Sequence, residues 1–243
     1  MTRKFWFFVF IFIIVIVALL FFFLGKKNET YKNVVSVKNT NWKLDKTGLK
    51  YPILGFVNNV LTPKECNEII ELGKQVVEPS IVGFDMQTDN SVRNSSHGWL
   101  ESEKHPALLR VSLMLEHLTG FPRINQEPFQ IVKYGPGQYY KYHLDSCNPE
   151  ADDYEHCIEN AKESGFRKYT FIIYLNDDYE GGTTHFSEIN KHIKGKKGQA
   201  VYFKNIKDNN IDSEPISLHA GTEVRKGYKW IINCWIRTKA YVV

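Results

Sequence analysis

A chain of 243 residues, 43% of them hydrophobic and 24% charged, has the make-up of a globular protein with room for one sizeable domain plus an accessory segment. Its net charge of +4 is carried wholly by Arg3, Lys4, Lys26 and Lys27, so the rest of the chain is electrically neutral. A neutral domain lacks the basic face that phosphate tracking requires, which excludes nucleic-acid binding as a function class.

After a four-residue tail (1–4), Phe5 to Leu24 is an unbroken apolar run. Twenty residues at about 1.5 Å each span about 30 Å, the thickness of a bilayer core. Basic pairs close both ends, and Gly25-Lys26-Lys27 offers no small-residue cleavage site. The expectation is one transmembrane helix, an uncleaved signal anchor. Positive charge on both flanks leaves its orientation open. The short sequons Asn28-Glu29-Thr30 and Asn94-Ser95-Ser96 agree with a lumenal catalytic domain, in the endoplasmic reticulum. Residues 25–50 are polar, rich in Lys and Asn and without periodicity, and read as a stalk.

The folded domain is expected over 51–243. Thr62-Pro63-Lys64-Glu65 combines a capping threonine, a proline at the first helical position and a capping-box glutamate, so a helix starts there, with Cys66, Ile69, Ile70 and Gly73 on one face. A second helix is expected from Pro106 to Leu118, with Leu109, Leu113, Leu115 and Leu118 as its apolar side and Gly120 as its C-terminal cap. Beyond Phe121 the pattern changes to short aromatic and β-branched segments around residues 129–134, 139–145, 169–175, 183–186, 199–203, 217–221 and 229–237. Helices first and strands later give an α+β class with a jelly-roll core.

The four cysteines contain no C-x-x-C pair, so no zinc ribbon or thioredoxin motif is available. Cys66 and Cys234 sit in apolar patterns and read as core. Cys147 and Cys157 flank a polar loop and are either a disulfide, if the compartment is oxidising, or two ordinary thiols.

Two of the eight histidines stand out. His143-Leu144-Asp145 is an H-x-D read as lying on a strand, where alternation puts His143 and Asp145 on one face. His219 lies far downstream in another strand-like segment. Two imidazoles and one carboxylate leave positions open on a metal, the arrangement that suits Fe(II) oxygenases, in which a bidentate 2-oxo acid and O2 bind together. Lys229 follows on the next strand among Trp230, Ile231 and Ile232. A buried ammonium there needs an anion, and the distal carboxylate of 2-oxoglutarate would serve. Alternation turns His185 away from Thr184 and Phe186, and the remaining histidines lack ligand spacing.

The stretch Tyr134 to Asp145 resembles the Y-x-x-G-x-x-Y-x-x-H-x-D segment of prolyl 4-hydroxylases. Arg167 to Asn176 resembles their R-x-x-T-x-x-x-Y-L-N strand, Gly181 to Phe186 their G-G-x-T-x-F, and Lys197 to Phe203 their K-G-x-A-x-x-F. His219 to Trp230 is similar to H-x-G-x-P-V-x-x-G-x-K-W, followed by Trp235-Ile236-Arg237, and Val92 to Ser95 resembles V-R-x-S. The likeness runs from about residue 51 to 238 and is to the short single-chain type. It implies a double-stranded β-helix and Fe(II) held by His143, Asp145 and His219. It places 2-oxoglutarate on Lys229, Tyr134 and Thr184, and Tyr140, Arg167 and Trp235 along a peptide groove. It further implies O2 as co-substrate, L-ascorbate as the agent that restores oxidised iron, and proline-containing peptides as substrates. Two departures stand out. Glu223 occupies the position of the family's proline, and the segment from Cys147 to Gly165 is longer and more acidic than the usual connector. That segment follows the metal strand, where loops often cover substrate, and is expected to contribute to peptide choice. Competing readings are a hydroxylase of lysine or another residue, a silent proline-rich-peptide-binding module, and a zinc hydrolase, which would leave Lys229 and Tyr134 unexplained.

Overall fold

The computed structural model describes residues 54–80, 91–151, 154–209 and 211–242. The expected anchor at 5–24 and stalk at 25–50 lie outside them. Among the described residues no helix is long and apolar enough to cross a membrane.

Helix α1 (Pro63–Gly73) begins with the capping box foreseen at Thr62 and Glu65. Thr62 Oγ1 accepts the Glu65 N–H, and Glu65 accepts the Thr62 N–H at 2.8 Å. Gly73 ends the helix against the sheet, where a Cβ would lie 2.3 Å from Ile131 Cδ1, so a larger residue there would have to push the isoleucine tip aside. Helix α2 (Pro106–Thr119) is capped by His105, whose Nδ1 accepts the Ala107 N–H, and stops at Gly120 with φ of 73°. Its core face is Leu108, Val111, Met114 and Leu115. The expected stripe was turned slightly: Leu113 is half-exposed.

The described residues form three antiparallel sheets. The largest has seven strands in the order β1 (Leu54–Val57), β10 (Ala200–Lys204), β6 (Arg167–Tyr174), β13 (Lys229–Arg237), β4 (Phe129–Tyr134), β3 (Ser96–Leu100), β2 (Glu78–Pro79). The second runs β5 (Tyr140–His143), β11 (His219–Gly221), β8 (Thr184–Phe186), β9 (Lys191–Ile193). A two-stranded ribbon pairs β12 (Val224–Lys226) with β7 (Glu180–Gly181). The result is an antiparallel β-rich core of the kind found in jelly rolls, supported by N-terminal helices.

Alternation along the large sheet sorts its side chains between two cores. Ile131, Phe171, Ile173, Ile232, Cys234 and Ile236 face α1 and α2. Val132, Ile172, Val201, Phe203 and Ile231 face the second sheet, meeting Phe186, Ile193 and Val224. On β13 the second set of alternating positions is Lys229, Ile231, Asn233 and Trp235, which all line one cavity. Cys66 and Cys234 are buried free thiols, as their apolar settings implied.

Three expectations change. Strand β5 ends at His143, so Asp145 stands in the bend that follows and alternation is not what aims it. Segment 147–165 is not a loop: it carries helix α3 (Tyr154–Ser164), tied back by a Cys147–Cys157 disulfide with Cα atoms 5.5 Å apart. Its apolar residues are too few for a periodic signal, and the disulfide replaces a packed face as its tether. Lys229 opens β13 rather than the strand after His219, because the three-residue β12 intervenes. Short strands such as β7, β9 and β12 hold too few residues to show alternation.

Candidate active site

Strands β5 and β11 pair with His143 directly opposite His219, which brings the two rings to 4.3 Å between centroids. Each imidazole is oriented in the same way. His143 Nδ1 donates to the Lys141 carbonyl and His219 Nδ1 to the Ser217 carbonyl, both at 2.8 Å. A carbonyl only accepts, so Nδ1 holds the proton and Nε2 presents its lone pair. Burial, reinforced by neighbouring His219, pushes the His143 pKa far below the usual range and keeps this ring neutral.

Asp145 completes the cluster. Its Oδ1 lies 3.7 Å from His143 Nε2, while Oδ2 accepts a hydrogen bond from Thr170 Oγ1 at 2.6 Å. Burial works against its ionisation, but His219, His143, Arg167 and Thr170 outweigh it and hold the carboxyl below its ordinary value. The three ligand atoms lie within 4.8 Å of one another. Two imidazole nitrogens and one carboxylate on adjoining elements fit a divalent iron with open positions.

A cavity of about 280 Å³ opens beside this cluster. Lys229, 2% exposed, sits in its wall directly across from Tyr134 on β4. Its ammonium lies 5.2 Å from the Tyr134 ring centroid and 5.8 Å from that of Tyr174, and no acidic side chain among the described residues pairs with it. Burial alone pushes its pKa down to about 7. A cation held this way calls for an anionic guest. Thr184 is buried at the same wall, its Oγ1 bonded to Tyr174 Oη at 2.8 Å, so it does more than satisfy a turn. Ile172 and Ile231 add apolar wall to the same cavity. An elongated dicarboxylate with an apolar middle fits this pattern of charge, apolar wall and metal cluster.

The other three expected residues gather at the mouth. Tyr140 stacks on His143 at 3.7 Å and 19°, with the Arg93 guanidinium 4.8 Å over the tyrosine ring. Arg167 grips buried Glu127 with Nε and Nη2 at 2.6 and 2.7 Å, and Arg237 holds the same carboxylate at 2.7 Å. Trp235 lies beneath Arg167 and is 6.1 Å from Trp99, which is half-exposed at the rim. All nine sequence-predicted residues therefore line one cavity.

His185 points elsewhere: it bonds Tyr142 Oη and stacks on His192 at 3.8 Å. The loop that lacks the family's proline is held by Thr222, whose N–H donates to the Thr183 carbonyl at 2.9 Å and whose Oγ1 accepts the Thr183 N–H at 2.8 Å. Residue-by-residue reasoning missed Arg93, Trp99, Glu127 and Thr170. Arg93 and Thr170 lie inside the quoted V-R-x-S and R-x-x-T motifs, which was the available signal. Nothing local marks Trp99 or Glu127.

Comparison with known proteins agrees with this geometry. Residues 129–237 match the family described as the 2OG-Fe(II) oxygenase superfamily. The chain is 34% identical over 189 residues to a prolyl 4-hydroxylase homologue of Acanthamoeba polyphaga mimivirus, covering 76% of this chain and 74% of that protein. It belongs to the prolyl 4-hydroxylase family. Prolyl 4-hydroxylase 1 of Arabidopsis thaliana is 31% identical over 210 residues, covering 78% of this chain and 70% of that one. Among solved structures, the viral collagen prolyl hydroxylase of Paramecium bursaria Chlorella virus-1, in complex with 2OG, matches with a TM-score of 0.58 at 25% identity, over 76% of this chain and 95% of that one. Membership makes this prolyl 4-hydroxylase family chain an Fe(II)- and 2-oxoglutarate-dependent dioxygenase, the chemistry its His–Asp–His cluster and buried lysine fit.

Proposed function

We propose that this chain hydroxylates proline in collagen-like or other proline-rich peptides, with O2 and 2-oxoglutarate consumed and succinate and CO2 released. The observation that carries this is Lys229: an ammonium buried, with no acidic partner among the described residues, in the same cavity as a three-ligand metal cluster.

His143 and His219 would hold iron through Nε2 and Asp145 through Oδ1. Lys229 would neutralise the far carboxylate of 2-oxoglutarate, with the Tyr134 and Thr184 hydroxyls bonding it. Bound together, Fe(II) and 2-oxoglutarate supply the oxidising power that inserts one oxygen atom of O2 into a proline C–H bond. The protein's part is orientation and exclusion of water. Tyr140, Arg167 and Trp235 line the cavity together with half-exposed Trp99, an aromatic and cationic wall suited to a polyproline II segment, which binds at low entropic cost. A second cavity of about 460 Å³, walled by α3 and its disulfide, shares Trp99, Asp145 and Arg167 with the first. It extends the peptide path and is the natural seat of peptide selectivity.

In this reading residues 5–24 would anchor the enzyme in the endoplasmic reticulum membrane, followed by the stalk 25–50 and a lumenal domain 51–243; the Cys147–Cys157 disulfide supports an oxidising compartment. Ascorbate sustains turnover by restoring iron oxidised in the absence of peptide. The test supplies the purified chain with Fe(II), 2-oxoglutarate and a poly-proline or collagen-like peptide. Peptide-stimulated succinate, with a 16-dalton gain on proline by mass spectrometry, is expected. Peptide binding without succinate would make it a silent module.

A further inference from the structure

Asp145 is the candidate ligand that no strand holds, since β5 stops two residues before it. A buried hydroxyl holds it instead. Thr170 Oγ1 donates to Asp145 Oδ2 at 2.6 Å, and Asn205 Nδ2 donates to Thr170 Oγ1 at 2.8 Å. Thr170 and Asn205 are each 1% exposed. The backbone of Asn205 is pinned on both sides: its N–H bonds the Lys168 carbonyl at 2.9 Å and its carbonyl accepts the Glu214 N–H at 2.8 Å.

We propose that Asn205 and Thr170 are positioning residues that fix the Asp145 carboxylate for single-oxygen metal binding. This rests on the reading of His143, Asp145 and His219 as the iron site. The direction of the chain follows from proton counting. A carboxylate only accepts, and a threonine has one hydroxyl proton. Because Asn205 fills the acceptor side of Thr170 with an N–H, the single proton goes to Asp145. Turning the amide over would set Asn205 Oδ1 against Thr170 and draw that proton away. In the observed orientation Asn205 Oδ1 is buried and bonded to nothing among the described residues. The amide thus leaves its own oxygen unsatisfied in order to aim its N–H at Thr170. With Oδ2 occupied, Oδ1 is the oxygen turned toward His143, 3.7 Å from its Nε2.

The test is anaerobic titration of the full chain with Fe(II), read by calorimetry and by the absorption that appears on adding 2-oxoglutarate, with thermal melts to confirm folding. Thr170→Val keeps shape and removes the donor; it is expected to weaken Fe(II) binding about 10–100-fold, the usual effect of losing an outer-shell partner. Thr170→Ser keeps the hydroxyl and retains the wild-type affinity. Asn205→Leu weakens binding less, and the double variant Thr170→Val/Asn205→Leu is no weaker than Thr170→Val, because Asn205 acts only through Thr170. Wild-type affinity in Thr170→Val, or losses that multiply in the double variant, overturns the relay. If Thr170→Val does not fold, Asn205→Leu with wild-type affinity overturns it equally. Failure of the wild-type chain to bind Fe(II) would instead remove the oxygenase reading itself.

Discussion

The guanidinium carbon of Arg167 sits over the indole of Trp235, 3.7 Å from its ring centroid, and its Nη1 reaches the backbone carbonyl of Asp145 at 3.4 Å. One side chain thus joins the aromatic wall proposed to face peptide to the metal loop. Its fork on Glu127 sets that plane. Arg167→Lys keeps the charge but loses both the fork and the stack. The expected outcome is a rise in peptide KM of about tenfold or more, with the KM for 2-oxoglutarate unchanged. A parallel rise in both would assign Arg167 to the co-substrate instead.

Lys229 gives a pH signature. With its folded pKa pushed down to about 7, the free enzyme holds a neutral amine above that pH, and a dicarboxylate must bind together with a proton. Affinity for 2-oxoglutarate should therefore fall by about tenfold per pH unit above pH 7. Lys229→Met should abolish this slope and cost about 2–5 kcal/mol of binding while leaving Fe(II) affinity intact. Calorimetry across pH 6.5 to 9 checks both; a flat profile in the wild type would contradict this role.

The same lysine taxes the fold. Between its folded pKa of about 7 and the ordinary lysine value of 10.5, the unfolded chain binds a proton that the folded chain does not. Stability from this group therefore rises with pH across that window and is lowest below it. Lys229→Met removes the penalty. Its melting temperature should exceed that of the wild type at pH 7, with the gap closing toward pH 10.5. A constant gap would mean that the methionine acts through packing.

The Cys147–Cys157 disulfide closes a ten-residue separation directly after Asp145. Cys157→Ser should lower stability by about 2–3 kcal/mol. Because α3 walls the second cavity, the ranking of peptides with different flanking residues should change, while 2-oxoglutarate and Fe(II) affinities stay put. Unaltered peptide ranking would separate α3 from substrate choice.

Much of this was legible in the sequence because it is local. The capping box at Thr62, the left-handed stop at Gly120 and the alternation of β13 are decided within a few residues by hydrogen-bond and steric rules. Spacing of His143, Asp145, His219 and Lys229 announced a metal and an anion. Helix α3 escaped because its face is mostly polar, and a covalent tether substitutes for an apolar stripe. Arg93, Glu127, Trp99 and Asn205 escaped because their significance is a matter of what they touch: a tyrosine ring, two arginines, an indole and a threonine from other parts of the chain.

The sequence by itself determined helices α1 and α2, the longer strands, the ligand types and the chemistry they suit, since these depend on residue identity and short-range periodicity. Only the tertiary structure decided that Lys229 is buried with no acid among the described residues paired to it, that both imidazoles turn Nε2 toward one point, and that Asp145 is aimed by Thr170 rather than by its own strand. Those are properties of pairing register and burial, set by strands distant along the chain, and no local rule contains them.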